Sequence, residues 1–439
     1  MQAWRLFNQY FSFDTLSLIY TTYLQYKRTV GIDKMSTEVF EVKINKHINT
    51  ILKKVSTNSY EYSFYKAKLI LKGRDKLPRV ISIPTIRDRL TLKTLSLLLF
   101  ELYKSEIKFK LVQTIISDIK EKLDNYNSFI KIDIADFYPS INHNILRSKL
   151  YKKIRKPEIL SLIFNALKTK SLISSDENVG EIEKGIPQGL AISNILANIY
   201  MLDMDKTLFR KRKFKYYRYV DDILILCNSE DILEIKSFMN NQLAKLKLDT
   251  NEEKYKDGDL TKEFSYLGYL YTAQGFTVRK QSIIKFQESI LRNITIYKHS
   301  DTLPLNYLIW IINLRVTGCI IENNKYGWMF FYSQIDKLRL LYEIDHFIKK
   351  MLNKNLEEDE KFKSKKLVRT YFEITKNLTR TNYIPNFSEY DLIDKQKLLN
   401  EVFGFKDPFG WPQLKVEIIF RKKIFQSIRD LERDFQTFS

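Results

Sequence analysis

Apolar residues recur along this chain at two periods, and the switches between them mark out its elements. Phe40, Ile44, Ile48, Ile51 and Val55 fall three to four apart with Lys and Asn between them, which predicts one amphipathic helix. Val80, Ile81 and Ile83, entered through the basic run from Lys72 to Arg79, read as part of a basic hairpin, with a helix starting near Thr91. At residues 129–134 the period is two: Ile130, Ile132 and Ile134 share one strand face, and Asp133 points to the other beside Lys131. Residues 218–225 are two apolar half-strands meeting at adjacent acids, a β-hairpin with Asp221 and Asp222 at its tip. Helical spacing returns over 193–208 and 232–246, and dominates from about Thr277, where Ile335, Leu338, Leu341, Ile344, Ile348 and Met351 mark one apolar face. Between these lies 264–271, a short aromatic strand with a glycine bend.

Within that frame some residues ask for a chemical reason. A carboxylate on an isoleucine-rich strand is unfavourable without a partner, and functional acids are among the few that tolerate it. Adjacent carboxylates repel unless something positive sits between them, so Asp221 and Asp222 form a candidate site for a divalent cation with oxygen ligands. Taken alone, the pair fits a solvated acidic turn as well. Residues 185–191 make a glycine-proline turn ahead of a helix, where glycine lets the backbone approach a ligand and the helix N-terminus favours anions; a plain loop-to-helix connection has the same pattern. Arg147, Lys149, Lys152, Lys153, Arg155 and Lys156 suit a phosphate backbone, or a solvated helix face. The aromatic cluster at 326–332 fits core packing better than a base-stacking platform.

Composition narrows the partners. Among 439 residues there are 73 Lys and Arg against 52 Asp and Glu, a net charge of +21 that points to a polyanion, nucleic acid rather than a membrane surface. No apolar run is long enough for a bilayer, and the N-terminal residues lack the apolar core of a signal peptide, so the expected compartment is the cytoplasm. Cys227 and Cys319 lie in apolar runs and offer neither a disulfide framework nor a zinc cluster. His47, His143, His299 and His346 show no metal spacing.

Taken in order, the segments resemble a prokaryotic reverse transcriptase over roughly residues 28 to 275. Gly31-Ile32-Asp33 is similar to an N-terminal motif of group II intron enzymes, and Arg79 through Arg89 to the fingers hairpin. Asp133 to Tyr138, Pro187-Gln188-Gly189 and Tyr219-Val220-Asp221-Asp222 resemble the first three palm motifs, Lys254 sits where the fourth has its lysine, and Leu267-Gly268 looks like the primer grip. Residues 133–141 and Val316-Thr317-Gly318 look retron-like, while Ile186 to Gly189 and Ala197 to Tyr200 look like group II introns. Asn165-Ala166-Leu167-Lys168-Thr169 departs from the retron signature in lacking its histidine. The stand-alone enzymes of antiphage defence and abortive infection, a reverse transcriptase core with a helical C-terminal region, are the most similar group.

That resemblance implies an α+β, right-hand fingers-palm-thumb fold with an antiparallel palm sheet: N-terminal region and fingers over 1–115, palm over 116–275 with an interleaved fingers segment at about 145–183, and thumb and helical extension over 276–439. It implies RNA-directed DNA synthesis with two Mg2+ ions, Mn2+ being the alternative, held by Asp133, Asp221 and Asp222 with Ile134 as a further position of the metal site. Lys254 would give a proton to the leaving pyrophosphate; Lys72, Lys76, Arg79, Asp136 and Phe137 would hold the triphosphate. Gln188 and Gly189 would line the nucleotide pocket, and Tyr138 would crowd the sugar as a steric gate. The implied partners are an RNA template of non-coding type, the DNA product and dNTPs, with a homo-oligomer or a companion defence protein as further options and no membrane. Against this stand a retron-like or group II intron-like enzyme in another role, an RNA-dependent RNA polymerase, and an RNA-binding scaffold on a polymerase fold.

Overall fold

A computed structural model describes residues 2–27, 29–71, 78–172, 183–360 and 362–434. Lys72 and Lys76 lie outside the described residues. The chain forms two compact units, one of Met1–Phe109 and Ser128–Asp257, the other of Lys110–Asn127 and Gly258–Ser439.

In the first unit, strands β1 (Tyr65–Ile70), β2 (Arg79–Ile83), β3 (Ser128–Asp133), β4 (Ser171–Leu172), β5 (Lys215–Tyr219) and β6 (Asp222–Cys227) build two sheets, ordered β2-β1-β4 and β5-β6-β3, and β7 (Lys256–Asp259), which begins at the end of this unit, adds to β3. The central pair, β3 and β6, is antiparallel and mostly buried: Ile223 to Cys227 make β6 apolar on both faces, while β3 turns Ile130 and Ile132 to one face and Phe129, Lys131 and Asp133 to the other. Helices Ile86–Tyr103 and Ser193–Phe209 bury apolar residues around much of their circumference, and the core gathers against them. The first of these helices begins earlier than the sequence suggests. Thr85 caps it, accepting from the Asp88 N–H at 3.3 Å, and Asp88 in turn accepts from the Tyr60 hydroxyl at 2.9 Å. What reads as one helix through Phe40 and Val55 is two, Thr37–Val42 and Ile44–Ser56, because Lys43 leaves helical geometry at φ −125°, ψ 27°.

The second unit is mostly helical, with its longer helices at Lys280–Lys298, Leu305–Thr317, Arg339–Asn355 and Gln413–Glu432. Leu341, Ile344 and Ile348 are buried as their spacing requires, while Ile335 and Leu338 precede the helix. Trp328 and Tyr332 are buried in the aromatic cluster, so that cluster packs core. A small sheet of β8 (Phe264–Tyr266), β9 (Tyr269–Thr272) and β10 (Gly275–Val278) replaces the single bent strand expected at 264–271. There Leu267 (φ 49°) and Gly268 (φ 85°) form a two-residue reversal between Tyr266 and its partner Tyr269. Among the described residues no helix is long and apolar enough to cross a membrane.

Candidate active site

The register of β3 on β6 decides where the acids go. Ser128 pairs with Cys227 at one end and Asp133 with Asp222 at the other, so carboxylates more than eighty residues apart in sequence stand directly opposite. Cross-strand neighbours of this kind have Cβ atoms about 5 Å apart, and like charges placed so destabilise the pair unless something compensates them. Asp221 belongs to the adjoining turn rather than to the strand. Tyr219 pairs with Asp222, leaving Val220 and Asp221 as the two turn residues. The Ile134 N–H donates to the Asp221 carbonyl at 3.2 Å, which fastens that turn to the end of β3.

Positive groups answer the acids. Lys254 Nζ lies 2.9 Å from Asp133 Oδ2, brought there because the Asn251 N–H donates to the Asp133 carbonyl at 2.8 Å. Lys131 Nζ lies 3.7 Å from Asp222 Oδ1. Burial, and then Asp133, push the Asp221 carboxyl above the usual carboxylate range, while its own N–H, Lys254 and Arg79 pull it down. Among the described residues no three acids, histidines or cysteines converge as a ready metal cluster. The donor set nevertheless fits a divalent cation: facing carboxylates, and a neighbouring acid whose ionised form burial disfavours, gain most from a compact positive charge.

Around the acids lie the other sequence-predicted residues of this unit. Tyr138 is half-buried, and Asp221, Arg218 and Arg79 all act on its hydroxyl. Asp136 sits at φ 40° ahead of the short helix Phe137–Ser140, exposed, whereas the Phe137 ring is core. The Gln188 carbonyl accepts from the Ser82 N–H at 2.7 Å, and the Ile186 N–H donates to the Tyr138 carbonyl at 2.8 Å, so the 185–191 loop is tied to both β2 and Tyr138. Gly189 is needed for that tie: at φ 100°, a Cβ there would sit 2.8 Å from Ile81 Cγ2. The backbone approached closely by this glycine is β2. In the second unit, Leu267 is buried and the Gly268 carbonyl accepts from the Arg279 N–H at 3.2 Å.

The basic cluster expected to face phosphates is largely spent on acids of its own unit. Lys149 and Lys152 meet Asp203 at 3.2 and 2.9 Å, Lys153 meets Glu106 at 3.2 Å, and Lys156 meets Glu158 at 2.8 Å. Sequence reasoning gave no role to Arg218 or Asp205. Arg218 Nε and Nη2 fork onto the Asp205 carboxylate at 2.8 and 2.5 Å, and Nη1 donates to the Val220 carbonyl at 2.8 Å. The available signal was a carboxylate, Asp205, on a helix otherwise buried almost all round.

The central antiparallel pair thus carries Asp133 and Asp222 on facing strands, with Asp221 on the turn that joins β5 to β6. Residues 70–271 match the family model described as reverse transcriptase (RNA-dependent DNA polymerase), and this stretch is a reverse transcriptase domain. The chain is 21% identical over 348 residues to the putative COX1/OXI3 intron 2 protein of Saccharomyces cerevisiae, covering 64% of this chain and 39% of that one. It is 26% identical over 176 residues to the group II intron-encoded protein LtrA of Lactococcus lactis subsp. cremoris, covering 38% and 29%. Protein YkfC of Escherichia coli is 20% identical over 211 residues, covering 43% and 54%. The chain thus spans well under half the length of the intron proteins it matches.

Proposed function

We propose that the chain is an RNA-directed DNA polymerase that extends a primer with dNTPs on an RNA template. The observation that supports this reading most is the register that sets Asp133 against Asp222 with Asp221 on the adjoining turn. Asp133 and Asp221 would hold two divalent ions, Mg2+ or Mn2+, with Asp222 and the Ile134 backbone in support; bound there, such ions stabilise charge on the attacking and leaving oxygens. The chain's own groups supply the rest. Lys254, already against Asp133, protonates the leaving pyrophosphate. Arg79 reaches the triphosphate from the start of β2, joined by Lys72, Lys76 and the backbone at Asp136 and Phe137. Gln188 and Gly189 line the nucleotide pocket, the Tyr138 ring excludes a 2′-hydroxyl, and Leu267 with Gly268 steadies the primer. Primer extension by Asp133→Asn, Asp221→Asn and Asp222→Asn tests the assignment: each is expected to lose at least about a hundredfold in rate. Parental rates in Asp221→Asn would end the polymerase reading.

For its cellular role we propose bacterial antiphage defence in the cytoplasm. Support comes from the resemblance to stand-alone defence enzymes and from a mostly helical second unit. An intron-type role is the second reading, favoured by the similarity to LtrA. Plaque counts on cells carrying the parent or Asp221→Asn separate the two. Fewer plaques with the parent alone support defence, and equal counts overturn it.

A further inference from the structure

The acidic turn contains a residue that would not choose its own conformation. Val220 is β-branched and sits at φ 59°, a left-handed backbone that such a residue keeps only where its surroundings impose it. The contact that can impose it comes from Arg218, whose Nη1 donates to the Val220 carbonyl at 2.8 Å. That guanidinium is anchored on its other edge. Nε and Nη2 grip the Asp205 carboxylate at 2.8 and 2.5 Å, and Nη2 also donates to Asn198 Oδ1 at 3.0 Å. Asn198 and Asp205 lie two turns apart on the core helix Ser193–Phe209, hence on one face of it. Asp205 is fixed further by the Tyr216 hydroxyl at 2.9 Å. With its side chain only 6% exposed, Arg218 is placed to act on the turn rather than on a nucleotide.

We propose that Arg218 is the positioning residue of the acidic turn: anchored on Asp205 and Asn198, it holds Val220 left-handed and so sets the Asp221 carboxylate beside the end of β3. A lysine at this position keeps the charge but cannot bridge the carboxylate and the carbonyl, since its ammonium is a point donor and not a planar fork. A glycine at 220 adopts positive φ without help, which makes the clamp dispensable. Those two facts define a rescue experiment. The inference rests on the polymerase reading for its kinetic readout, and metal binding gives it a second readout that does not.

The full chain is used as the parent, Arg218→Lys, Val220→Gly and the double variant. Mn2+ binding is measured by electron paramagnetic resonance without nucleotide, kcat and the nucleotide KM by primer extension, and Tm by calorimetry. Arg218→Lys is expected to bind Mn2+ about tenfold more weakly and to lose about a hundredfold in kcat, with the nucleotide KM within about threefold of the parent. In the double variant Val220→Gly should recover about tenfold of the lost kcat and most of the lost affinity. A double variant as poor as Arg218→Lys, or parental Mn2+ affinity in Arg218→Lys, overturns the proposal. If Arg218→Lys does not fold, Asp205→Asn takes its place, removing the charged anchor and keeping the guanidinium. The same glycine rescue is then expected, and its absence, or parental Mn2+ affinity in Asp205→Asn, overturns the proposal equally. Glycine rescue of Mn2+ binding in a chain that adds no nucleotide would sink the polymerase reading and leave the clamp standing. Nucleotide addition abolished in Asp221→Asn with no glycine rescue would do the reverse.

Discussion

The gate proposed at Tyr138 depends on the size of a single, half-buried ring. Burial pushes its hydroxyl up to about 12, with Asp221 adding to the effect, so the phenol is neutral at working pH and would act on a sugar by shape and not by charge. Tyr138→Phe should therefore keep the preference for dNTPs over ribonucleotides, while Tyr138→Ala should relax it by roughly a hundredfold or less. Competitive primer extension measures both, and an alanine variant as selective as the parent removes the gate. Lys254 carries a two-sided prediction. It stands against Asp133 and helps pull the neighbouring Asp221 carboxyl down from the value that burial and Asp133 raise it to. Without Lys254, Asp221 should ionise at higher pH, so the acidic limb of the pH–kcat profile moves upward. As a lost proton donor, Lys254→Met should also flatten the basic limb and lower kcat by about a hundredfold. A profile with both limbs in place would leave the lysine no part in the reaction.

Elements were legible where side-chain period decides them and illegible where backbone geometry does. The strand through Ile130 and Ile132 and the acidic hairpin both follow from alternation, whereas the register that sets Asp133 against Asp222 joins strands far apart in the chain and no alternation gives it. No periodicity announces that Lys43 interrupts a helix, or that Leu267 and Val220, residues with no preference for positive φ, turn two hairpins. Beside them the structure places hydrogen-bond partners: Arg218 Nη1 donates to the Val220 carbonyl, and the Arg279 N–H to the carbonyl of Gly268 next to Leu267. The glycine loop shows the same limit: the need for Gly189 was visible in the sequence, but the surface it approaches, β2, lies over a hundred residues earlier. An added Cβ would meet Ile81 Cγ2 at 2.8 Å and the Ser82 carbonyl at 2.9 Å, on a backbone at φ 100° that side chains rarely adopt. Gly189→Ala is accordingly expected to cost about 1–3 kcal/mol in urea unfolding and to raise the nucleotide KM, because Gln188 moves with the loop. Parental values in both measurements would mean that the loop yields freely.

Across the whole molecule, formal charge overstates what a polyanion meets. The chain carries a net +21, yet four lysines of the densest basic cluster face Asp203, Glu106 and Glu158, partners that composition cannot place. Buried charge matters in a different way, through the pH range over which the fold holds. In the second unit Asp434 pairs with Arg315, each side chain 2% exposed. Burial outweighs Arg315, Ser289 and Arg292 and pushes the Asp434 carboxyl up to about 6. Its folded value thus exceeds the ordinary carboxylate value of about 4 that it takes when unfolded. Between those values the folded state binds more protons, so this group's contribution is complete below pH 4 and is lost as pH rises through 6. Asp434→Asn removes the titration and keeps an acceptor for the guanidinium. Subtracting the variant's unfolding free energy from the parent's at each pH should give a curve that falls by on the order of 2 kcal/mol from about pH 4 to pH 6 and is flat above it. A difference that is level throughout, or that rises with pH, would show that Arg315 outweighs burial and holds Asp434 ionised, making the pair an electrostatic support of the fold at neutral pH rather than a cost to it.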